Sequence, residues 1–259
     1  MLLVSLAACA RARPALPAGA GTPFPGYEAA YEEAVRDCRG ARTVLAELGL
    51  SGRAGGTRLR GRISAGLAAP AQVRLEGIAF GRPVFLLVAR DEVATLLLPR
   101  DDRVVRDAAP QEIIEALAGV AVAPPELRAA IAGCGLGVAA PSNGRTFGSD
   151  WAAVDTDGTT TYLRRIQGRW RVAAAVRQGL TLHYADLAAG PPATILLRAQ
   201  RAAAGAPAET VADITLRVSQ LEINTPIDPR AFELDVPASA DPLSLEELRR
   251  AGPLGERGR

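Results

Sequence analysis

The sequence contains no lysine, since every one of its 30 basic residues is an arginine. Enzymes that form a Schiff base on lysine, and proteins with a P-loop, are therefore excluded. Histidine occurs once, as His183, which excludes every zinc motif that uses two histidines. These absences remove many of the common catalytic chemistries.

Aromatic residues are also scarce, with 2 Trp, 4 Tyr and 5 Phe, and the net charge is only +2. Proteins bind single-stranded nucleic acid with stacked aromatic rings and a dominant basic surface, and this composition supplies neither. No apolar run approaches the roughly 20 residues of a membrane-spanning helix. What is present is a chain of 259 residues, 48% of them hydrophobic, which is long enough to bury a globular core.

The N-terminus resembles a bacterial lipoprotein signal. Residues 6–9, Leu-Ala-Ala-Cys, match the lipobox, in which the thiol of Cys9 takes a diacylglyceryl group. Signal peptides have a basic start and about 15–30 residues, whereas eight residues without a basic side chain precede Cys9. A start codon assigned too far downstream explains the difference. We expect residues 1–8 to be a truncated signal peptide and Cys9 to be the palmitate-labelled lipid anchor; the alternative is an ordinary cysteine.

Residues 9–26 are rich in Ala, Pro and Gly and are predicted to form a flexible tether. Ala10 follows the lipobox cysteine, where an Asp usually retains a lipoprotein at the inner membrane. We therefore expect the outer membrane, with the protein facing the periplasm. If Cys9 is lipidated, two cysteines remain, Cys38 and Cys134, and the oxidising periplasm would allow them to form a disulfide. That disulfide would close a loop of about 96 residues. Two buried free thiols are the alternative.

Helical signals occur at both ends of the chain and in its middle. Residues 27–48 predict an amphipathic helix that ends at Gly49. Residues 111–118 and 126–132 predict two short helices, each opened by proline and closed by glycine. A capping box formed by Ser244 and Glu247 predicts a last short helix within residues 244–259.

Two runs of strands separate these helices. Across residues 52–106 the period is two, and Arg58, Arg60 and Arg62 alternate with apolar side chains. A hairpin is expected over residues 84–98. Further strands are predicted at residues 151–155, 160–166, 169–176, 181–186, 194–198 and 214–223.

The strands of the second run predict which side chains face the core. Trp170, Val172, Ala174 and Val176 are expected on the apolar face of their strand, and Arg171 and Arg177 on the other. His183 is expected on the solvent-exposed face of its strand. The GxGxG at residues 133–137 is interpreted as a helix end, and Asp155 and Asp157 as part of a hairpin turn, so no catalytic, metal or cofactor site is predicted.

The whole pattern predicts a mainly β fold. It is an antiparallel curved sheet or incomplete β-barrel, whose concave face is covered by an N-terminal helix and a mid-chain helix pair. Aliphatic walls of this kind suit acyl chains. The predicted cavity residues are Val73, Leu75, Phe85, Leu87, Leu96, Leu98, Ile195 and Leu197. A fully packed core without a void is the alternative, because alternation cannot distinguish a filled barrel from an empty one.

Residues 58–105 and the C-terminal residues 221–237, which read LEINTPIDPRAFELDVP, follow the lipobox and the first helix. Together they resemble the LolA/LolB-like periplasmic lipoproteins, over most of residues 27–243. The resemblance implies an incomplete barrel plugged by helices, with a cavity that holds the acyl chains of lipoproteins.

This resemblance implies a lipid-anchored protein that binds acyl chains or lipoproteins, without a cofactor and without nucleic acid. LolB has a protruding loop with an exposed apolar tip, and the tight joints at residues 81–83 and 90–92 are predicted to lack one. The alternative is a structural accessory subunit of an envelope complex that binds an envelope protein.

Overall fold

A computed structural model describes residues 14–137, 139–187, 190–203 and 206–252. Within these residues four α-helices accompany one large sheet. The helices are α1 (Tyr27–Arg39), α2 (Pro110–Ala118), α3 (Pro124–Ala132) and α4 (Leu245–Ala251). The strands are β1 (Thr22–Pro23), β2 (Thr43–Ala54), β3 (Thr57–Ala68), β4 (Gln72–Ala79), β5 (Arg82–Arg90), β6 (Val93–Leu98), β7 (Arg103–Ala108), β8 (Asn143–Phe147), β9 (Trp151–Thr156), β10 (Thr159–Ile166), β11 (Arg169–Arg177), β12 (Leu180–Tyr184), β13 (Thr194–Ala203), β14 (Ala206–Ile223) and β15 (Asp241–Pro242).

The sheet has the strand order β1-β8-β9-β10-β11-β12-β13-β14-β2-β3-β4-β5-β6-β7-β15. Its pairs are antiparallel, except that β15 runs parallel to β7. The run β2–β7 and the run β8–β14 meet where β14 pairs with β2. The sheet is curved and unclosed, which confirms the predicted mainly β fold with an incomplete barrel.

The strand order places the mid-chain helices. Strands β7 and β8 are consecutive in the chain but lie near opposite edges of the sheet. The connection between them, which contains α2 and α3, therefore has to cross the opening of the curved sheet. There both helices bury apolar side chains against the concave face, as a sheet of this shape requires.

The first helix is shorter than the sequence predicts. Helix α1 ends at Arg39 with Gly40 after it, and β2 begins at Thr43, so the prediction of one helix over residues 27–48 is wrong. Val44, Ala46 and Leu48 are buried in alternation, which is the period of a strand. Pairing with both β3 and β14 at the centre of the sheet outweighs the local helical spacing.

The chain before α1 already pairs with the sheet. Thr22–Pro23 lies beside β8, and Phe24 packs against Trp170 with ring centroids 6.1 Å apart. These residues fall within the predicted tether. The ordered contacts of the sheet thus begin ahead of Tyr27.

The C-terminal segment connects the two faces of the sheet. After β14, Phe232 packs with Ala68 and Val88 in a small cluster separate from the main core. The chain then pairs with β7 as β15, and α4 contacts α2 and buries Leu248 in the main core. Ser244 and Glu247 form the predicted capping box at the start of α4.

Candidate ligand-binding site

The concave face holds all eight predicted cavity residues. Seven are buried in the main core, and Phe85 packs against it half-buried. Of the eight, Leu75, Phe85 and Leu197 line the apolar cavity described below. The other five, Val73, Leu87, Leu96, Leu98 and Ile195, are buried in the main core and do not line this cavity.

The apolar cavity, a void of about 120 Å³, lies between the sheet and helices α2 and α3. Every side chain that lines it is a hydrocarbon. Strands contribute Leu48, Leu50, Leu59, Ile63, Leu75, Phe85, Leu197, Ile214 and Leu216, and the helices and the segment between them contribute Ile114, Leu117, Ala118, Val120, Val122, Leu127 and Ile131. An engineered cavity of about 150 Å³ with similar walls stays dry and binds benzene. This cavity can therefore hold a few methylene groups but no polar group.

Helix α3 is fastened to the rest of the molecule at several points. The disulfide Cys38–Cys134 joins the end of α1 to the turn after α3, with Cα atoms 5.7 Å apart. The Tyr184 hydroxyl donates to the carbonyl of Ala130 at 2.7 Å, and burial raises the pKa of this phenol. Arg128 donates to the carbonyl of Pro70 at 2.9 Å. These bonds connect α3 to α1, to β12 and to the turn between β3 and β4.

Helix α2 has a lighter attachment. In the described residues its one side-chain ion pair joins Glu112 to Arg249 of α4 at 3.0 Å, and both side chains are about half exposed. An exposed pair of this kind contributes about 1 kcal/mol or less. The left-handed Gly119 ends α2 and leads into the segment 120–123. Counted by polar and covalent bonds, α2 is therefore attached to the rest of the molecule at fewer points than α3.

Arg177 lies on the opposite face of β11 from the one that the sequence predicts. A β-bulge at Ala173 lets Tyr162 pair with Ala174 while Leu163 pairs with Val172, so the alternation shifts by one residue. Ala175 joins the core in place of Ala174. Arg177 therefore turns inward, where its guanidinium donates to the carboxylate of Glu126 and to the carbonyl of Ala121. Sequence reasoning missed this residue because regular alternation gives no sign of a bulge.

His183 is buried, with 6% of its surface exposed, so the prediction that it faces solvent is wrong. It pairs with Ala174 and Leu196 on the adjacent strands, and the short strand β12 is covered on both faces. Within the described residues no group of three His, Cys, Asp or Glu side chains could hold a metal ion. The glycines at 133–137 follow α3, as the sequence predicts.

The joint between β4 and β5 carries an exposed aromatic ring. Phe80, with a left-handed backbone, is 72% exposed, and Val93 at the far end of β5 is 53% exposed. The prediction that these joints offer no apolar tip is therefore wrong. It overlooked Phe80 because it considered only the residues from Gly81 onward.

The predicted anchor Cys9 lies outside the described residues. In the ranges that the structure does cover, no helix is long and apolar enough to cross a membrane.

The solved structures that are similar to this one include the following three. A LolA superfamily protein from Nitrosomonas europaea has a TM-score of 0.51 and 12% identity, over 80% of this chain and 96% of that chain. A DUF1329 family protein from Desulfovibrio piger has a TM-score of 0.47 and 12% identity, over 79% and 96%. The Mycobacterium tuberculosis lipoprotein LppX has a TM-score of 0.34 and 12% identity, over 79% and 98%.

No family model and no curated protein matches the chain. The structural likeness at 12% identity concerns the fold alone. At that level it confirms the predicted resemblance, because the fold shared with the LolA superfamily protein spans most of the chain.

Proposed function

We propose, on the premise of a fold shared with the LolA superfamily, that this protein binds hydrocarbon chains in the cavity under α2 and α3. Its ligands are acyl chains, free or attached to lipoproteins. The binding is non-covalent, and the protein faces the periplasm from the outer membrane, where Cys9 anchors it. The observation that carries the proposal is a cavity wall built from hydrocarbon side chains alone.

The energetics follow from that wall. Each methylene group that leaves water contributes about 0.8 kcal/mol. A cavity of about 120 Å³ is smaller than the roughly 300–1,000 Å³ of ordinary ligand pockets. The closed structure therefore admits only the end of an acyl chain. A whole acyl chain enters when the helices that cover the cavity move away from the sheet.

The cavity opens by a movement of α2, which has fewer attachments than α3. The bonds of α3 to α1, β12 and the β3–β4 turn hold that helix against the sheet. Helix α2 and the segment 120–123 can swing outward around Gly119 once Arg177 releases the carbonyl of Ala121. The cavity then gains the space that α2 occupies in the closed structure.

Uptake of a fluorescent fatty acid tests the proposal. Leu50 lines the cavity and is half-buried, so Leu50→Trp fills part of the void, and we expect at least a roughly fivefold loss of affinity. Leu86→Trp is the matched control, because Leu86 is also half-buried but packs on the separate cluster around Phe232. A photoreactive fatty acid should label residues of α2 and β2.

Equal uptake by the two tryptophan variants would contradict the cavity assignment. Absence of uptake by the folded, delipidated wild-type protein would favour the alternative function, a structural subunit that binds an envelope protein. The observation that favours this alternative is that five of the eight predicted cavity residues are buried in the core without lining the cavity.

The anchor has a separate test. We expect the protein made in a Gram-negative host to incorporate a labelled palmitate analogue and to fractionate with the outer membrane. Cys9→Ser should abolish both the label and the fractionation, whereas replacing the disulfide cysteine Cys38 should leave the label in place. Wild-type protein that does not incorporate the label would contradict the interpretation of residues 6–9 as a lipobox.

A further inference from the structure

A second and larger hollow lies beyond the apolar cavity, at the end of the sheet. It is an open groove of about 760 Å³, and polar side chains form half of its lining. Neither the acyl-chain cavity nor any predicted site uses it. We refer to it as the polar groove, bounded by the β2–β3 turn, α2, the β11–β12 turn and the β13–β14 hairpin.

The polar groove and the apolar cavity lie end to end along the same strands. Leu197 of β13 lines the cavity, and Ala199, two residues further along the same face, lines the groove. Two residues of a strand span roughly 7 Å. A molecule that extends along β13 would therefore reach from one hollow into the other.

A wall one chain thick separates the two hollows. In the segment after α2, Gly119 and Ala121 line the groove, whereas Val120 and Val122 line the cavity. This is the segment that Arg177 holds through the carbonyl of Ala121. When it swings outward, the groove and the cavity join into one amphipathic channel.

The charges of the groove indicate the kind of group it would bind. Arg177 and Arg249, which line it, already pair with Glu126 and Glu112. Arg201 and the carboxylates of Glu115 and Glu209 also line it, and in the described part of the chain no ion pair engages these three groups. The groove thus offers free charges of both signs.

The remaining side chains offer neutral hydrogen bonds. Gln111, Gln178 and Gln200 each present an amide that both donates and accepts. Among the described residues no aromatic ring lines the groove, so they do not provide the flat apolar surface on which a sugar ring would stack. A headgroup with one anion and one ammonium satisfies this set, because the guanidinium can bind the anion and the carboxylates the cation.

We propose that the polar groove binds the zwitterionic phosphate–ammonium headgroup of an amphiphile whose hydrocarbon tail enters the apolar cavity. Arg201 binds the phosphate, and Glu115 and Glu209 bind the ammonium. This inference rests on the proposed function, since it needs a hydrocarbon tail in the cavity. It adds a site that selects among amphiphiles by headgroup.

Calorimetric titration with three lauroyl amphiphiles tests the inference. The probes are lauroyl lysophosphatidylethanolamine, lauroyl lysophosphatidylglycerol and laurate, each below its critical micelle concentration. We expect the ethanolamine lipid to bind about tenfold more tightly than the other two. The combined variant Arg201→Gln with Glu209→Gln should abolish this preference, so that the ethanolamine lipid binds no more tightly than the other two, while laurate still binds through its hydrocarbon tail.

Arg198→Gln is the matched control. Arg198 lies on the same strand as Arg201, pairs with Asp213 at 3.0 Å and does not line the groove. Laurate binding reports whether each variant is folded. A preference for lysophosphatidylglycerol, or equal affinity for all three lipids, overturns the headgroup site and leaves acyl binding intact. Absence of binding by all three overturns the proposed function as well.

Discussion

Gly77 shows how one residue shapes the cavity wall. It pairs with Phe85 on the neighbouring strand, and a Cβ atom at Gly77 would collide with the Phe85 ring. The ring therefore lies over the glycine and reaches the cavity from there. An aromatic ring that covers a glycine across two strands is a known way of stabilising such a glycine.

We expect Gly77→Ala to destabilise the fold by about 1–3 kcal/mol, because the added methyl displaces Phe85. Urea unfolding measures the loss. Gly66→Ala is the control, since a Cβ atom there makes an ordinary contact of 3.6 Å with Leu45. Equal stability of the two variants would show that the ring moves aside without strain.

Asp155 couples stability to pH. Burial alone would raise the pKa of this carboxyl, but hydrogen bonds from Arg145 at 2.6 Å and Thr160 at 2.7 Å more than offset it, so its pKa is lowered. A lowered pKa in the folded state means that the stabilisation is complete above the unfolded pKa of about 3.9. It is lost as the pH falls through the folded pKa.

Asp155→Asn should therefore cost about 1–2 kcal/mol at neutral pH, from the loss of charge-assisted hydrogen bonds. The difference from wild type should shrink as the solution is acidified below about pH 4. Urea unfolding at several pH values checks this, with Asp157→Asn in the exposed adjacent turn as the control. A gap that stays constant down to the acid range would refute the coupling.

At the scale of elements, a β-bulge and a disulfide determine how the connection that contains α2 and α3 is attached to the sheet. The bulge in β11 turns Arg177 toward the segment 120–123, and the disulfide fixes the turn after α3 to α1. Both features act on the connection that must cross the sheet. In the proposed opening, α2 is therefore the helix that moves, because it has the fewer polar and covalent attachments.

Replacing Cys38 and Cys134 together by alanine should lower stability by about 4–5 kcal/mol. The reason is that the bridge spans 96 residues and restricts the unfolded chain. Thermal and urea unfolding measure the change, with the reduced wild-type protein as the control, because it keeps both cysteine side chains but lacks the bridge. A double variant that unfolds at the wild-type urea concentration would show that the bridge contributes nothing.

At the scale of the whole molecule, the two exposed apolar tips lie at opposite ends of β5. Phe80 lies at one end, where Arg60, Arg62 and Arg100 are close, and Val93 lies at the other. Arg100 donates to the carbonyl of Ala79 at 2.8 Å and so braces the Phe80 turn. An exposed ring among arginines is typical of a surface that touches the headgroup region of a membrane.

Phe80→Ser should reduce binding to vesicles of phosphatidylethanolamine and phosphatidylglycerol by about tenfold, because an inserted Phe contributes about 1.5–3 kcal/mol. Vesicle flotation with protein lacking the lipid anchor measures the change. Val93→Ser, at the opposite end of the sheet, should have no effect. Equal losses in the two variants would indicate non-specific adhesion.

The sequence alone was sufficient for features that depend on near neighbours. Pro110 and Gly119 bound α2, and Ser244 with Glu247 begins α4, because caps and prolines act within one turn of a helix. The alternation of arginines in β3 placed its apolar face correctly, and the cysteine count predicted the disulfide.

Only the tertiary structure decided the rest. Val44 and Leu48 belong to β2 because that strand has partners on both sides, which a local spacing cannot show. Arg177 faces inward because of a β-bulge in the pairing of β10 with β11. The size of the cavity depends on how closely α2 and α3 approach the sheet, and a pattern of apolar residues is the same whether the space between them is filled or empty.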